Sequence, residues 1–307
     1  MSYLAIDHHK NLSQLLPNQI TTNIKPITQI KQAILDRDHS IPLRRDIKFL
    51  SRLNDIFAPV HAAQVKGRIP SKEHEAILSA AKRNLDLIEE CTQTKMQGRS
   101  YLDIGCGWGY NIDEAHRRKA RYSAGIEIGQ VRHKSWEERV GDTDDMKFIL
   151  DDLHTHDFQE QTFDIISSFN SFEHFDDPAL ILHRCSKIIA PQGLLLISFN
   201  PLFCAPMGSH KYRMINIPYV QNIFDDDIVS KYFFKKKVKD PYPGLNRKRV
   251  REFESILCED EHFSPLVFNK HTDYRFAWMK GCFRNEFTDF SNDDLFISGI
   301  TAVLKLK

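Results

Sequence analysis

The feature that most limits how this chain can fold is a run of ten residues in its first half. Residues 100–109 read Ser-Tyr-Leu-Asp-Ile-Gly-Cys-Gly-Trp-Gly, an apolar strand-forming stretch that ends on glycines at 105, 107 and 109. Glycine lets the backbone turn sharply and lets a ligand approach with no Cβ in the way. A helix through Ala115 follows directly, so the run reads as strand, glycine loop, helix. The chain then keeps alternating. Strands are predicted over Tyr122–Ile128, Met146–Leu150, Phe163–Phe169 and Gly193–Phe199, with helices over Gln130–Val140 and Pro178–Ile189 between them. A helix near Arg247–Cys258 and strands near Leu266–Lys270 and Ile297–Leu306 complete the series. Such alternation predicts an α/β fold: a seven-stranded, mostly parallel sheet with helices on both faces.

The remaining segments behave differently. Residues 1–25 are polar and weakly patterned and read as a loose arm or docking strand. From Pro26 to about Cys91 the spacing is helical. Ile27, Ile30, Ala33 and Ile34 share one face, and Ile47, Leu50, Leu53, Ile56 and Phe57 share another. A third stretch starts at Ser71, His74 and Glu75 and repeats through Ile77, Leu78, Ala81, Leu85 and Ile88 until Gly98 breaks it. Residues 200–245 fit no regular alternation and are too long for an ordinary connection. The organisation expected is therefore a helical cap or arm over 1–98 and an α/β domain over 99–307, with 200–245 as an acceptor-site insertion or lid.

Composition excludes several classes. The 42 Lys and Arg residues balance 41 Asp and Glu, a net charge of +1, which argues against a surface built wholly for nucleic acid or anionic lipid. Gly193–Phe199 is far shorter than the roughly 20 apolar residues of a membrane span, so no span is expected. The start, MSYLAIDHHKN, lacks an apolar signal core. Six scattered cysteines, none spaced C-x-x-C, suit free thiols in a reducing compartment, so a cytoplasmic location is expected.

In open parallel sheets ligands bind beyond the carboxyl ends of the strands, where this glycine loop sits. A dinucleotide fingerprint would need G-x-G-x-x-G; here the third glycine comes one position early and Tyr110 stands where that motif needs glycine. Asp103, just before the loop, would repel a pyrophosphate and attract an ammonium or sulfonium ion. The electrostatics favour a cationic ligand.

The run Asp103-Ile-Gly105-Cys106-Gly107-Trp-Gly109 resembles the first motif of class I S-adenosylmethionine-dependent methyltransferases, and the resemblance covers about residues 99–200. It implies a Rossmann-like sheet and S-adenosyl-L-methionine as cofactor. On this resemblance Glu127, in Ala-Gly-Ile-Glu127-Ile128-Gly, would hold the ribose hydroxyls, and a carboxylate is suited to accept both. Asp152, with Asp151 as a competitor one residue away, would accept from the adenine amino group, and Leu153 would pack beside the ring. Ser168-Phe-Asn170-Ser-Phe-Glu-His174 resembles the segment lining the methionine end and the acceptor entrance, and Pro191-Gln-Gly193 the turn into the fifth strand. The cofactor set is then Asp103, Gly105, Cys106, Gly107, Gly109, Glu127, Ile128, Asp152, Leu153 and Asn170.

A hydroxyl acceptor gains from a base, and histidine has the suitable ordinary pKa. His210, in Pro206-Met-Gly-Ser-His210, is the first candidate and His174 the second; His183 reads as packing or surface. The stretch from Gly208 through Asn222-Ile-Phe-Asp225 resembles an insertion in bacterial methyltransferases tied to sugar modification. A small-molecule acceptor is expected, a sugar or phosphosugar ahead of a polyketide or phenol. Lys231–Arg251 carries nine basic residues and one acid. It could recognise phosphate on the acceptor, or hold RNA in an alternative reading as an RNA methyltransferase. A third reading is a cofactor-binding regulatory or assembly subunit without turnover. His154 and His156 beside Asp151, Asp152 and Asp157 read as a polar turn, and no metal is expected.

Overall fold

The computed structural model describes residues 24–65, 73–211, 214–234 and 240–307. The expected arm falls outside them except for its last two residues, as do Ser71 and Lys235–Lys239. In chain order the elements are α1 (Ile24–Leu35), α2 (Ile47–Val65), α3 (Glu73–Thr92), β1 (Ser100–Ile104), α4 (Tyr110–Arg117), β2 (Tyr122–Glu127), α5 (Gln130–Arg139) and β3 (Met146–Leu150). They continue as β4 (Phe163–Phe169), α6 (Pro178–Ile188), β5 (Ile189–Phe199), α7 (Val220–Ile223), α8 (Asp226–Phe234), α9 (Val250–Cys258), β6 (Phe263–Thr272), α10 (Met279–Cys282), α11 (Asn292–Phe296) and β7 (Ile297–Leu306).

The seven strands form one sheet in the order β3-β2-β1-β4-β5-β7-β6. Pairs among β1 to β5 are parallel, and β7 runs antiparallel to both β5 and β6. The strand order reverses between β1 and β4, which leaves a crevice at their carboxyl ends where a ligand can bind. All five residues of β1 are buried, as a central strand covered on both faces requires. Local sequence sets the ends. Asp46 Oδ1 accepts the Lys48 and Phe49 N–H groups at the start of α2. Asp177 accepts from Ala179 and Leu180 at the start of α6, with Pro178 in the first helical position.

The expected turn at Pro191-Gln-Gly193 lies inside β5. The pairing jumps from Phe163↔Ile189 to Ile165↔Leu194, so residues 190–193 bulge out of the ladder.

The helical region divides between two cores. The apolar edge of α3 (Leu85, Ile88) packs with Tyr101, Ala115, Ile165, Leu196 and Val303, against the sheet. Ile30 and Ala33 of α1 and Phe49, Leu50, Leu53 and Phe57 of α2 instead share a core with Ile217, Tyr219, Ile223 and Phe224 of the insertion, extending to Phe283 and Phe287. Ile47, assigned by spacing to that face, is 39% exposed, and Phe49 is buried in its stead. The 200–245 segment also holds α7 and α8. Their apolar residues become a face only when α1 and α2 lie against them, which single-chain periodicity does not show. All six cysteines are free thiols, and no helix among the described residues is long and apolar enough to cross a membrane.

Candidate active site

The glycine loop turns at positive φ three times, with φ of +65° at Gly105, +58° at Gly107 and +76° at Gly109. Two of these have structural reasons. A Cβ on Gly105 would lie 2.7 Å from Ser171 Cβ, and one on Gly109 would run into the buried Trp136 ring. Gly107 is different: a Cβ there would meet nothing within 4 Å. Its bareness leaves open space over the loop, which suits the close approach of a ligand.

Asp103 ends up almost fully buried beneath the loop. Asn111 Nδ2 donates to Oδ2 at 2.9 Å, and the Ser167 hydroxyl donates to Oδ1 at 2.7 Å. Tyr101 shares the network through a 2.7 Å contact with Ser167. Burial pushes the carboxyl up to about 6, against these hydrogen bonds, which favour the ionised form. A buried carboxylate without a cationic partner in its network gains from a bound cation.

Glu127 closes β2 and is also buried. Its Oε1 accepts the Gly129 N–H at 3.0 Å. Its Oε2 accepts the Gly107 N–H at 3.1 Å and the Arg132 guanidinium at 2.7 Å. Oε1 therefore keeps a lone pair for one hydroxyl, and the half-exposed Arg132 must yield for a second. Around this end of the sheet stand exposed apolar groups: Trp108, Ile128 and Leu150, with Ile128 74% exposed. They offer a flat ring somewhere to rest.

The other expected cofactor residues are placed less uniformly. Asp152 Oδ1 accepts the His154 N–H at 2.9 Å and contacts its ring Nδ1 at 2.7 Å, while Asp151 pairs with His156 at 2.7 Å. Both carboxylates are exposed at the turn after β3. Leu153 joins the main core instead, and Cys106 is buried with its thiol pushed well above the usual range by burial. Asn170 adopts φ +49° and ties the end of β4 to the end of β5, its Oδ1 accepting the Asn200 N–H at 3.1 Å.

The two histidine candidates meet. After β4 the chain makes a single tight turn at Phe172–His174, docked on the glycine loop by the Ser171 hydroxyl, which donates to Gly105 O at 3.0 Å. His210 arrives from the insertion with φ +53°. The rings stand nearly perpendicular with centroids 5.2 Å apart. His210 Nε2 lies 2.9 Å from Pro201 O, and His174 Nδ1 lies 2.6 Å from Gly244 O. A carbonyl only accepts, so each of these nitrogens carries the proton and each ring keeps a lone pair on its other nitrogen. Burial holds His210 below the usual histidine range.

Glu173, whose carboxylate lies within 4.8 Å of both imidazoles, is a residue that the sequence alone does not single out. It is 3% exposed, and neither carboxylate oxygen receives a hydrogen bond from another described residue. Burial pushes it up to about 8. Its adjacency to His174 was the available signal; its burial was not. Asn111, Ser167 and Arg132, which position the two acids, were likewise missed.

The basic segment is mostly spent internally where it is described. Arg247 binds Asp226 at 2.8 Å and Asp240 at 2.5 Å. Lys231 lies 3.1 Å from Asp227, Lys248 3.8 Å from Glu252, and Arg249 3.6 Å from Asp294.

Known proteins resemble the chain in the same region. A family described as a methyltransferase domain matches residues 73–220. A ubiquinone biosynthesis O-methyltransferase of Actinobacillus pleuropneumoniae is 31% identical over 180 residues, covering 55% of this chain and 72% of that protein. One from Neisseria meningitidis is 26% identical over 142 residues, 39% of this chain and 59% of its own length. The chain spans little more than half the length of several such relatives. Among solved structures, an S-adenosylmethionine-dependent methyltransferase from Mesorhizobium loti overlays with a TM-score of 0.45 at 15% identity, over 70% of this chain and 93% of that one. The buried acid beneath the loop, the open space at Gly107 and the carboxylate closing β2 fit a cationic sulfur nucleoside. By its sequence kinship with these proteins, the chain belongs to the class I S-adenosylmethionine-dependent methyltransferase family.

Proposed function

We propose that this protein transfers a methyl group from S-adenosylmethionine to an oxygen of a small polar acceptor, with a sugar or phosphosugar as the favoured class. The observation that carries the reading is the meeting of His210 with His174, which sits on the turn that docks against the glycine loop. Nucleoside-binding groups and proton-accepting groups thus share one end of the sheet. The names of these relatives, ubiquinone biosynthesis O-methyltransferases, favour O-methylation as well.

The bound cofactor supplies an activated methyl group on a positively charged sulfur. Asp103 offsets that charge, Glu127 accepts from the ribose, and the bare backbone at Gly107 lets the nucleoside lie close. The Nδ1 lone pair of His210 takes the acceptor's proton as the oxygen attacks, because its Nε2 is committed to Pro201 O. The remaining catalysis is alignment of the attacking oxygen with the methyl carbon. The ion pairs that use up Arg247, Lys248 and Arg249 give the RNA reading no support.

The test is incubation of the purified chain with methyl-labelled cofactor and a panel of sugars, sugar phosphates, nucleotide sugars, phenols and RNA. Label on a hydroxyl of a sugar-containing acceptor is expected. Transfer only to phenols would overturn the acceptor class, and transfer only to RNA or to nitrogen would overturn the proposal.

A further inference from the structure

We infer that Glu173, His174 and His210 form a binding site for a divalent transition-metal ion at the acceptor end of the cleft. The inference deepens the proposed function and rests on it for the ion's role, but not for the ion's binding.

Three independent features converge. First, one potential ligand atom on each of the three side chains lies within 4.8 Å of the other two. Donors on opposite sides of an ion with bonds of 2.0–2.1 Å stand about 4 Å apart, so small rotations close the site. Second, both imidazoles are already oriented. His174 gives its Nδ1 proton to Gly244 O and His210 gives its Nε2 proton to Pro201 O, which fixes the tautomers and leaves one lone pair on each ring. Ligating histidines characteristically donate their other N–H to a carbonyl or carboxylate in this way. Third, the buried Glu173 carboxylate receives no hydrogen bond from any other described residue on either oxygen. A buried acid left so is costly, and a cation beside it removes the cost.

Two imidazoles and one carboxylate suit zinc, cobalt, manganese or ferrous ions better than calcium or magnesium. Three protein ligands leave positions open for water or an acceptor hydroxyl. The ion would then lower the hydroxyl's pKa so that its proton passes to solvent water before the oxygen attacks, and His210 would serve as a ligand instead of as a free base. A second cluster, His183, Glu261 and His262, is the other place where three such groups gather among the described residues. There His183 Nδ1 and His262 Nε2 are 2.8 Å apart, each occupying the other, and Glu261 is exposed.

The test is a cobalt(II) titration of the metal-stripped full chain carrying His183→Asn, which dismantles the second cluster. Visible ligand-field bands saturating at one ion per chain are expected. Glu173→Gln and His210→Asn should each weaken cobalt binding at least a hundredfold, with S-adenosylmethionine affinity kept within a few-fold as the sign of an intact fold. If the parent shows no bands, or if cobalt binds Glu173→Gln and His210→Asn as tightly as the parent, the inference falls. Cofactor binding measured on the same samples keeps the outcomes apart: retained cofactor binding without cobalt binding sinks only the metal site. Absent cofactor binding in the parent sinks the methyltransferase reading.

Discussion

Replacing Asp103 with asparagine should turn a pH-dependent cofactor site into a pH-independent one. The wild-type carboxyl is pushed to about 6 by burial, although Ser167 and Asn111 both donate to it. A sulfur cation selects the ionised form. Below pH 6 each unit of acidity therefore costs about tenfold in affinity, while above it the affinity levels off. At pH 8 the variant loses a charge-assisted interaction of about 1.5–3 kcal/mol, roughly ten- to a hundredfold in dissociation constant. The same group should make the ligand-free protein acid-stabilised. Its folded pKa lies above the ordinary 3.8, so its contribution is fully present below that value and is lost as pH rises through about 6. The span is at most about 3 kcal/mol. Calorimetric titration of wild type and Asp103→Asn from pH 5 to pH 8 measures the first effect, and chemical denaturation from about pH 3.5 to pH 8 measures the second. A wild-type affinity that stays flat between pH 5 and pH 7, or an unchanged affinity in the variant at pH 8, would refute the electrostatic account of the site.

Other substitutions probe separate parts of the molecule. Gly105→Val should abolish cofactor binding and lower the melting temperature, because φ is +65° and the new side chain runs into Ser171; normal binding by calorimetry would contradict the docking of 171–174 on the loop. Glu127→Gln should weaken cofactor binding about tenfold or more with little change in stability, since the amide keeps one acceptor and loses the charge; equal affinity would remove Glu127 from the ribose role. Phe57→Ala deletes a ring that is 1% exposed in the core shared by α2 and the insertion, and should cost about 3–5 kcal/mol in chemical denaturation. Hydrogen exchange should then show α1, α2 and residues 215–234 loosening together, and loosening of α2 alone would mean the two segments do not form one unit.

Helix α3 and the strands around it were legible because their signals are local. The β1 run carries its own apolar pattern and its own glycines, so Ser100–Ile104 and the turn after it follow from neighbours in sequence. The same holds for Asp177-Pro178 at the start of α6. The division of the helical region was not legible. Periodicity shows that α1, α2 and α3 each own an apolar face, yet only packing shows that α3 turns its face to the sheet while α1 and α2 turn theirs to the insertion.

The site separates along the same line. The sequence alone determined the glycine loop, the acid before it and the acid closing the next strand, because each is fixed by its position on one β-α-β unit. It also supplied His174 and His210 as separate candidates. Only the tertiary structure decided that they face each other across 5.2 Å, and that Glu173 beside them is buried with no hydrogen bond from another described residue. That outcome depends on where the insertion after β5 folds back, on the Asn170–Asn200 link between strand ends, and on the carbonyls of Pro201 and Gly244. Burial and partnership belong to the solvent-excluded assembly, and no spacing along a chain encodes them directly.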